Sequence, residues 1–248
     1  MRSVLAQTYG SIEYIIVEGL SSDHTMEVAR QVANEFPERD IKIICEADHG
    51  ISDAMNKGVL LARGTVITHL HAGDRYVDDT VIERVMHSFH REGWRWGVAG
   101  LVVVNVNGRV AHVPRPRPRN HLRLLRRSFI PHQSSFVVRD IFVRHGLFRV
   151  GLKQAMDYEF WLRITFKGGE RYQVLPFTTT YYLEGGDSSN LSELFRYMLV
   201  VRRELRTWVP TLTVFDDMLF FADLLTYIMY IALKRAISRS FYRDRRSS

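Results

Sequence analysis

Three short apolar runs in the first third of the chain alternate with segments of helical spacing. The runs cover residues 12–17, 41–45 and 65–70, and helical patterns begin near Ser21 and Ile51, between the runs. Strands that alternate with helices at this spacing predict a parallel sheet with right-handed crossover connections. Because parallel strands end at the same edge of a sheet, the residues that follow the three runs are the first candidates for a binding site.

An aspartate follows the third of these runs. The apolar segment 65–70 leads through His71 and two small residues to Asp74. A carboxylate at the end of a buried strand can bind a cation that also carries phosphate oxygens. In the alternative interpretation, Gly73 and Asp74 form a turn before a helix that Asp78 opens. The residues of this segment alone leave both interpretations open.

The composition indicates a folded protein with strongly basic patches. The chain has 248 residues, of which 46% are hydrophobic, a net charge of +7 and a single cysteine, Cys45. One cysteine cannot form an intrachain disulfide, and the first residues lack the long apolar stretch of a signal peptide. We therefore expect a protein of the reducing cytoplasm.

The basic residues are unevenly distributed. Six arginines lie between Arg115 and Arg127, and a second basic block covers residues 234–246. The sequence has no zinc-finger spacing, RNP-like aromatic motif or recognisable helix-turn-helix, so nucleic acid is not the expected partner. An anionic membrane surface or a diphosphate-bearing ligand fits the two patches, and a merely solvated basic face is the alternative.

The middle of the chain predicts the remaining strands and helices of the domain. Strands are expected over 98–104 and 110–113 around the turn Asn107-Gly108, and the Arg-Pro alternation 114–118 is expected to be a loop that can act as a flap. The later pattern predicts a strand over 134–138, helices over 141–145 and 155–166, and closing strands over 172–175 and 178–183.

Residues 191–242 have a helical pattern throughout. Segment 218–233 is strongly apolar, contains Asp223 and is shorter than the roughly 20 residues that a membrane-spanning helix needs. Its aromatic residues, followed at once by the basic block, favour a helix that lies on an anionic membrane surface. A core or dimer helix with a solvated basic tail is the alternative.

Five blocks of the sequence resemble, in order, the signature blocks of family 2 glycosyltransferases, which have a GT-A fold. The blocks cover residues 3–9, 18–25, 46–58, 71–74 and 155–162. Each block alone is weakly specific, whereas the ordered set is highly specific and is most similar to bacterial enzymes that build capsule, exopolysaccharide and O-antigen units. The resemblance implies an α/β GT-A catalytic domain over 1–189, Rossmann-like with a mostly parallel sheet flanked by helices, and a helical, membrane-associated segment over 190–248.

The resemblance also implies a reaction and its residues. A sugar moves with inversion from a nucleotide-diphosphate sugar to a hydroxyl of a lipid-linked saccharide, at the cytoplasmic face of a bacterial inner membrane. Asp157 is the implied catalytic base, Asp74 the implied ligand of Mg²⁺ or Mn²⁺, and His132 and Gln133 line the acceptor side. The implied nucleotide-sugar residues are Glu18, Ser21, Asp23, Asp48, Asn56, Lys57 and Gly73. A homodimer is left open.

Two opposing effects act on the implied base. Asp157 begins a predicted helix, whose N-terminal dipole lowers the pKa of a carboxyl, while the apolar side chains of Tyr158 and Trp161 raise it. From the residue pattern without the resemblance, a helix-capping aspartate is the preferred interpretation.

One strand of the family is missing from this sequence. Family members begin with a further strand, central in the sheet, before the helix that here starts at Arg2. Without it, two rows of backbone groups have no partner. One hypothesis is that the true start lies upstream of Met1, and the other is a decayed copy that acts as a non-catalytic binding or scaffold protein of a polysaccharide assembly complex. The coding DNA upstream of Met1 distinguishes them.

Overall fold

The computed structural model describes residues 1–105, 107–112, 121–126, 128–183, 191–226 and 228–229. Its helices and strands are α1 (Arg2–Leu5), β1 (Glu13–Glu18), α2 (Thr25–Asn34), β2 (Asp40–Cys45), α3 (Ile51–Leu61), β3 (Val66–Thr68), β4 (Arg75–Tyr76), α4 (Val81–Glu92), β5 (Trp96–Val104), β6 (Val110–His112), β7 (Ser135–Val138), α5 (Arg139–His145), α6 (Met156–Leu162), β8 (Gln173–Leu183) and α7 (Leu191–Trp208). A last helix, α8, covers residues 214–226.

The alternation predicted for the first third of the chain is confirmed. The elements β1, α2, β2, α3 and β3 follow one another close to the predicted positions. β1 and β2 pair in parallel, from Glu13 opposite Asp40 to Glu18 opposite Cys45. The loops after these two strands therefore leave the same edge of the sheet, as expected for a parallel pair.

The larger sheet is mixed in direction. Its strand order is β3-β7-β5-β8-β4, with β6 paired to β5. β5 and β8 run parallel, whereas β7 is antiparallel to both β3 and β5, and β4 is antiparallel to β8. The predicted α/β class holds, but parallel pairing in the described residues is confined to β1 with β2 and β5 with β8.

The two closing strands predicted over 172–175 and 178–183 are one strand. β8 runs through Pro176, and its register against β5 shifts between Val98 and Gly100, next to the proline. Proline has no N–H to donate to a ladder, so a strand tolerates it where the pairing is irregular. The proline therefore marks a register shift inside β8 and not a break between two strands.

β1 and β3 are edge strands within the part of the chain that the structure describes. There β1 pairs with β2 alone, and β3 pairs with β7 alone; β2, β4 and β6 also have one partner each. Helix α3 packs on β1, and its Met55 and Val59 share the main core with Ile67 of β3. One helix thus covers parts of two sheets that no described ladder joins, and β1 and β3 are among the edge strands of these sheets.

The C-terminal helices share the core of the domain. Buried side chains of α7 and α8, including Leu205 and Phe220, belong to the same cluster as Tyr158 and Trp161 of α6. The helical pattern predicted as continuous is interrupted at residues 209–213, which include Pro210. None of the helices in the described residues has the length and apolarity that crossing a bilayer requires.

Some predicted features lie outside the described residues. They are the loop 114–118 with Arg115 and Arg117, the further arginines Arg119 and Arg127, the end of the apolar segment at 230–233 and the basic block 234–246.

Candidate active site

Asp74 lies in the turn that follows β3, close to the last residue of β8. Its backbone N–H donates to the His71 carbonyl at 3.0 Å, and its Oδ1 accepts the N–H of Leu183 at 3.1 Å. Its Oδ2 is buried and has no hydrogen-bond partner among the described residues. Burial raises the pKa of this carboxyl to about 6. One oxygen of Asp74 thus orients the side chain, and the other remains available.

Gly73 allows this turn to form. Its φ is +92°, a left-handed conformation that side chains other than glycine rarely adopt, and a Cβ there would lie 3.2 Å from Leu183 Cδ2. The glycine is therefore required by the approach of β8 to the turn that carries Asp74.

Three histidine rings form a stack beside Asp74. The ring of His132 lies between His69, at 5.3 Å, and His71, at 5.4 Å between centroids, with interplanar angles of 28° and 18°. Both ring nitrogens of His132 are buried without a hydrogen-bond partner in the described residues. Burial lowers the pKa of all three rings, that of His69 to about 3, so the stack is neutral.

Sequence reasoning identified His132 but missed His69. His69 and His71 are two residues apart in an extended segment, so their side chains lie on the same face. This spacing was the signal that could have identified the stack. Phe142 and Phe148 also pack against His69. These residues are far from His69 in the sequence, and no local pattern indicated the contact.

The stack extends to the helix that carries Asp157. The ring of His132 lies 6.1 Å from that of Trp161, which stacks on Trp96 at 4.6 Å. Trp161 follows Asp157 by four residues in α6, a spacing that places two side chains on the same helix face. A continuous line of contacts therefore connects Asp74, through His71, His132 and Trp161, to the face of α6 that carries Asp157.

Asp157 lies in the first turn of α6 and is half-buried. Its Oδ1 accepts the N–H of Tyr158 at 2.7 Å. Burial raises the pKa of Asp157 to about 6, although the backbone hydrogen bonds lower it. The carboxyl is thus ionised near neutral pH yet basic enough to accept a proton.

Two loops at the ends of β1 and β2 contain most of the predicted nucleotide-side residues. Glu18 accepts the N–H groups of Leu20 and Ser21 at 3.0 and 2.8 Å, and hydrogen bonds from Ser21 hold its pKa at about 2. Asp48 accepts the N–H of Gly50 at 2.8 Å. A Cβ on Gly19 would lie 2.4 Å from Asp48 Oδ2, so the two loops are in close contact.

The remaining predicted residues have internal partners. Asn56 is buried and bridges both backbone groups of Phe148, at 2.8 and 2.9 Å. Lys57 donates to the carbonyl of Ala47 at 2.6 Å and pairs with Glu46 at 2.9 Å. Asp23 accepts the N–H of Thr25 at the start of α2, and the carbonyl of Gln133 accepts the hydroxyl of Thr180. In this structure Asn56 and Lys57 hold loops in place.

The residues that the structure describes contain no group of three or more His, Cys, Asp or Glu side chains arranged to hold a metal ion. Among the carboxylates of the described residues, Asp74 alone has a buried oxygen without a hydrogen-bond partner. A cation here would therefore have to complete its shell with oxygens that the protein does not supply, such as phosphate and water.

Comparison with known proteins assigns the family. The model of Glycosyl transferase family 2 matches residues 1–157. The chain belongs to this family. A PGL/p-HBAD biosynthesis glycosyltransferase of Mycobacterium tuberculosis is 29% identical over 188 residues, which is 76% of this chain and 72% of that protein.

Solved structures support the fold that the family implies. Staphylococcus aureus TarS 1–349 in complex with UDP-GlcNAc superposes with a TM-score of 0.64 and 15% identity, over 90% of this chain and 66% of TarS 1–349. The mannosyltransferase PcManGT from Pyrobaculum calidifontis, in complex with GDP-Man and Mn²⁺, gives a TM-score of 0.56 with 16% identity, over 92% of this chain and 68% of that one. In another TarS 1–349 structure, in complex with UDP, the match covers 65% of the TarS chain, so this chain spans less than two thirds of its length. The GT-A fold predicted from the sequence is confirmed.

Proposed function

We propose that this chain transfers a sugar from a nucleotide-diphosphate sugar to a hydroxyl of a saccharide acceptor, with inversion at the anomeric carbon. The observation that carries the proposal is the line of ring contacts that runs from the segment of Asp74 to the helix of Asp157. Asp74 lies at one end, beside the His71–His132 stack, and Asp157 lies on the face of α6 that Trp161 shares. Family membership supplies the reaction class.

Asp157 acts as the general base in this proposal. Its carboxylate accepts the proton of the acceptor hydroxyl, whose oxygen forms a bond to the anomeric carbon. The bond from that carbon to the nucleoside diphosphate breaks, and the diphosphate leaves with the electron pair. Because burial raises the pKa of Asp157 to about 6, its basicity is greater than that of an exposed aspartate.

The chemistry of Asp74 suits a divalent cation held mainly by the substrate. Oδ1 is fixed by Leu183, and the buried Oδ2 has no other partner among the described residues, so Oδ2 is the atom that would hold Mg²⁺ or Mn²⁺. The positive charge of such a cation would stabilise the diphosphate as it leaves. Mn²⁺ accompanies the nucleotide sugar in the similar PcManGT structure. Because Asp74 Oδ2 is the one oxygen proposed to bind the cation, we expect weak cation binding in the absence of nucleotide.

The loops after β1 and β2 are the proposed nucleotide side. Glu18 and Asp48 are held there by backbone N–H groups, with Ser21 and Asp23 exposed on the same loop as Glu18. The similar structures contain UDP-GlcNAc in TarS and GDP-Man in PcManGT. Both a uridine and a guanosine donor therefore belong in a first test.

The proposed acceptor is a lipid-linked saccharide of surface polysaccharide synthesis, at the cytoplasmic face of the bacterial inner membrane. Two features support it: the mycobacterial relative is named for the biosynthesis of PGL and p-HBAD, and the last 15 residues include six basic ones. His132, which lies in the ring stack, and the neighbouring Gln133 are proposed to line the acceptor side.

A second candidate is a non-catalytic binding or scaffold protein of a polysaccharide assembly complex. Two observations favour it: the free edges of β1 and β3 in the described sheets, and the single available carboxylate oxygen at Asp74. The intact carboxyl of Asp157 on α6 favours the enzyme.

One experiment tests both candidates. The protein is screened by thermal shift with UDP- and GDP-sugars, with and without Mn²⁺, and UDP or GDP release is then measured with membrane lipid extracts as acceptor. A donor at 100 times its Kd raises the melting temperature by about 5–10 °C. We expect a Mn²⁺-dependent shift in wild type and Asp157→Asn, no such shift in Asp74→Ala, and transfer in wild type alone. A shift without transfer in wild type supports the scaffold, and no shift with any donor refutes both.

A further inference from the structure

Helix α8 has one face in the core and another that is apolar and exposed. Phe220 and Leu224 are buried in the main core. The exposed stripe lies on the other side of the helix and consists of Val214 (66% exposed), Phe215 (64%), Met218 (64%) and Leu225 (58%), with Met229 (64%), which is also helical, in line with them. Such clustering of large apolar side chains at helical spacing indicates a contact surface.

Helix α7 extends this stripe. Phe195, Leu199 and Val200 are exposed on α7, and the ring of Phe195 lies 5.4 Å from that of Phe221 on α8. The exposed apolar residues of the two helices therefore form one surface. We name it the two-helix face: Phe195, Leu199 and Val200 of α7 with Val214, Phe215, Met218, Leu225 and Met229 of the last helix.

Two exposed arginines lie on the α7 part of this face. Arg196 and Arg203 are at helical spacings that place them among Phe195, Leu199 and Val200. Two glutamates, Glu193 and Glu204, lie on the Val200 side of α7, and Glu204 is paired with Arg149. On α8, Asp216 accepts the hydroxyl of Thr213, Asp217 binds Arg202, and Asp223 lies two residues from Leu225, on the opposite side of the helix. Apolar side chains interleaved with arginines fit the interface of an anionic bilayer.

The contacts of Arg202 fix this face relative to Asp157. Arg202 is buried and donates to Asp217 of α8 at 2.8 Å and to the carbonyl of Leu125. The hydroxyl of Tyr158, the residue after Asp157, donates to the adjacent carbonyl of Leu124 at 2.6 Å. If the two-helix face is bound to a surface, these contacts therefore hold α6, the helix of Asp157, at a defined position relative to that surface.

We propose that the two-helix face docks on an anionic lipid bilayer, with its apolar side chains among the acyl chains and Arg196 and Arg203 at the lipid phosphates. The inference rests on the proposed function for its lipid-linked acceptor, which would lie in the same bilayer as the docked face. The basic block 234–246 follows α8 in the sequence and adds charge of the same sign. A second copy of the chain is the competing occupant.

The test uses the full chain and flotation with vesicles of phosphatidylcholine alone or with 30% phosphatidylglycerol. We expect binding to the anionic vesicles only. The variant Phe215→Ser/Met218→Ser should lose about ten-fold in affinity, and Arg196→Gln/Arg203→Gln about 30-fold at low salt, since each arginine near an anionic surface contributes about five-fold. The matched control is Leu60→Ser/Val143→Ser, at residues that are 71% and 77% exposed on α3 and α5; it should bind like wild type.

Two further measurements separate this proposal from the proposed enzyme. Calorimetry with UDP or GDP and Mn²⁺ should give the same affinity for all variants, and the mass in solution by light scattering should be that of a monomer. Unchanged vesicle binding in Phe215→Ser/Met218→Ser, or equal loss in the control, overturns the docking proposal while leaving the enzyme intact. A dimer that this variant dissociates identifies a second copy as the occupant and also overturns it.

Discussion

Replacement of Asp157 by asparagine should abolish transfer and stabilise the protein at the same time. The pKa of this carboxyl is raised from 3.8 to about 6 because it is buried, so above pH 6 the folded protein carries a charge that water would solvate better. Two pH units correspond to about 3 kcal/mol for a fully enclosed group, and the partial exposure of Asp157 reduces this to about 1–2 kcal/mol. Asparagine carries no charge, and its Oδ1 can still accept the N–H of Tyr158.

The sign of the effect sets its pH dependence. Below about pH 4 the carboxyl is protonated in both the folded and the unfolded protein, so Asp157→Asn and wild type should unfold at similar temperatures. Between pH 4 and 6 the folded protein binds more protons than the unfolded one, and wild type loses stability relative to the variant as the pH rises. Above pH 6 the difference is constant, and we expect a melting temperature about 2–8 °C higher for the variant.

Two assays at pH 7.5 check this prediction. Transfer should fall by about 10²–10⁴-fold, the usual contribution of a general base, while thermal unfolding moves upward. Asp53→Asn is the matched control, because the N–H of His49 lowers the pKa of Asp53, and its replacement should lower the melting temperature. A variant that melts below wild type contradicts the burial argument, and one that keeps most of its activity contradicts the role of Asp157 as base.

Three further predictions concern other residues. Asp74→Ala should weaken Mn²⁺-dependent nucleotide binding at least about ten-fold by calorimetry, because a cation loses its protein ligand. Arg202→Met should lower the free energy of unfolding in urea by about 1.5–3 kcal/mol, since it removes the buried hydrogen bonds to Asp217 and to the carbonyl of Leu125, whereas Arg206→Met at the exposed side of the same carboxylate should cost less than about 1 kcal/mol. Asn56→Ala should cost about 2–3 kcal/mol through two lost buried hydrogen bonds, and nucleotide affinity measured by calorimetry should be unchanged if Asn56 only holds the Phe148 loop.

Local patterns were sufficient to predict the elements that carry the candidate site. The apolar run before Asp74 predicted β3 and the turn at its end, and the spacing of Met156, Phe160 and Ile164 predicted the helix of Asp157. These features depend on neighbours within one or two turns of the chain, which the sequence shows directly.

Long-range pairing could not be predicted in the same way. The placement of β7 between β3 and β5 reverses the direction of the sheet at its centre, and no local pattern encodes a strand's partner. Asn56 was assigned to the nucleotide from its block, whereas its amide binds Phe148, 92 residues further along the chain. A side chain with two polar groups takes the partners that the fold brings to it, and the sequence does not show them.

The pKa of Asp157 follows from two effects of different size. A helix N-terminus favours a carboxylate by about 0.3–1 kcal/mol, less than one pH unit. Burial acts in the opposite direction and moves the pKa from 3.8 to about 6, so burial is the larger effect. Tyr158, Phe160 and Trp161, which follow Asp157 in α6, are almost completely enclosed, in keeping with a buried environment at this turn of the helix. The sequence indicates both effects, but only the packing of the folded chain shows that burial is the larger one, and it gives Asp157 the raised pKa that the proposed base requires.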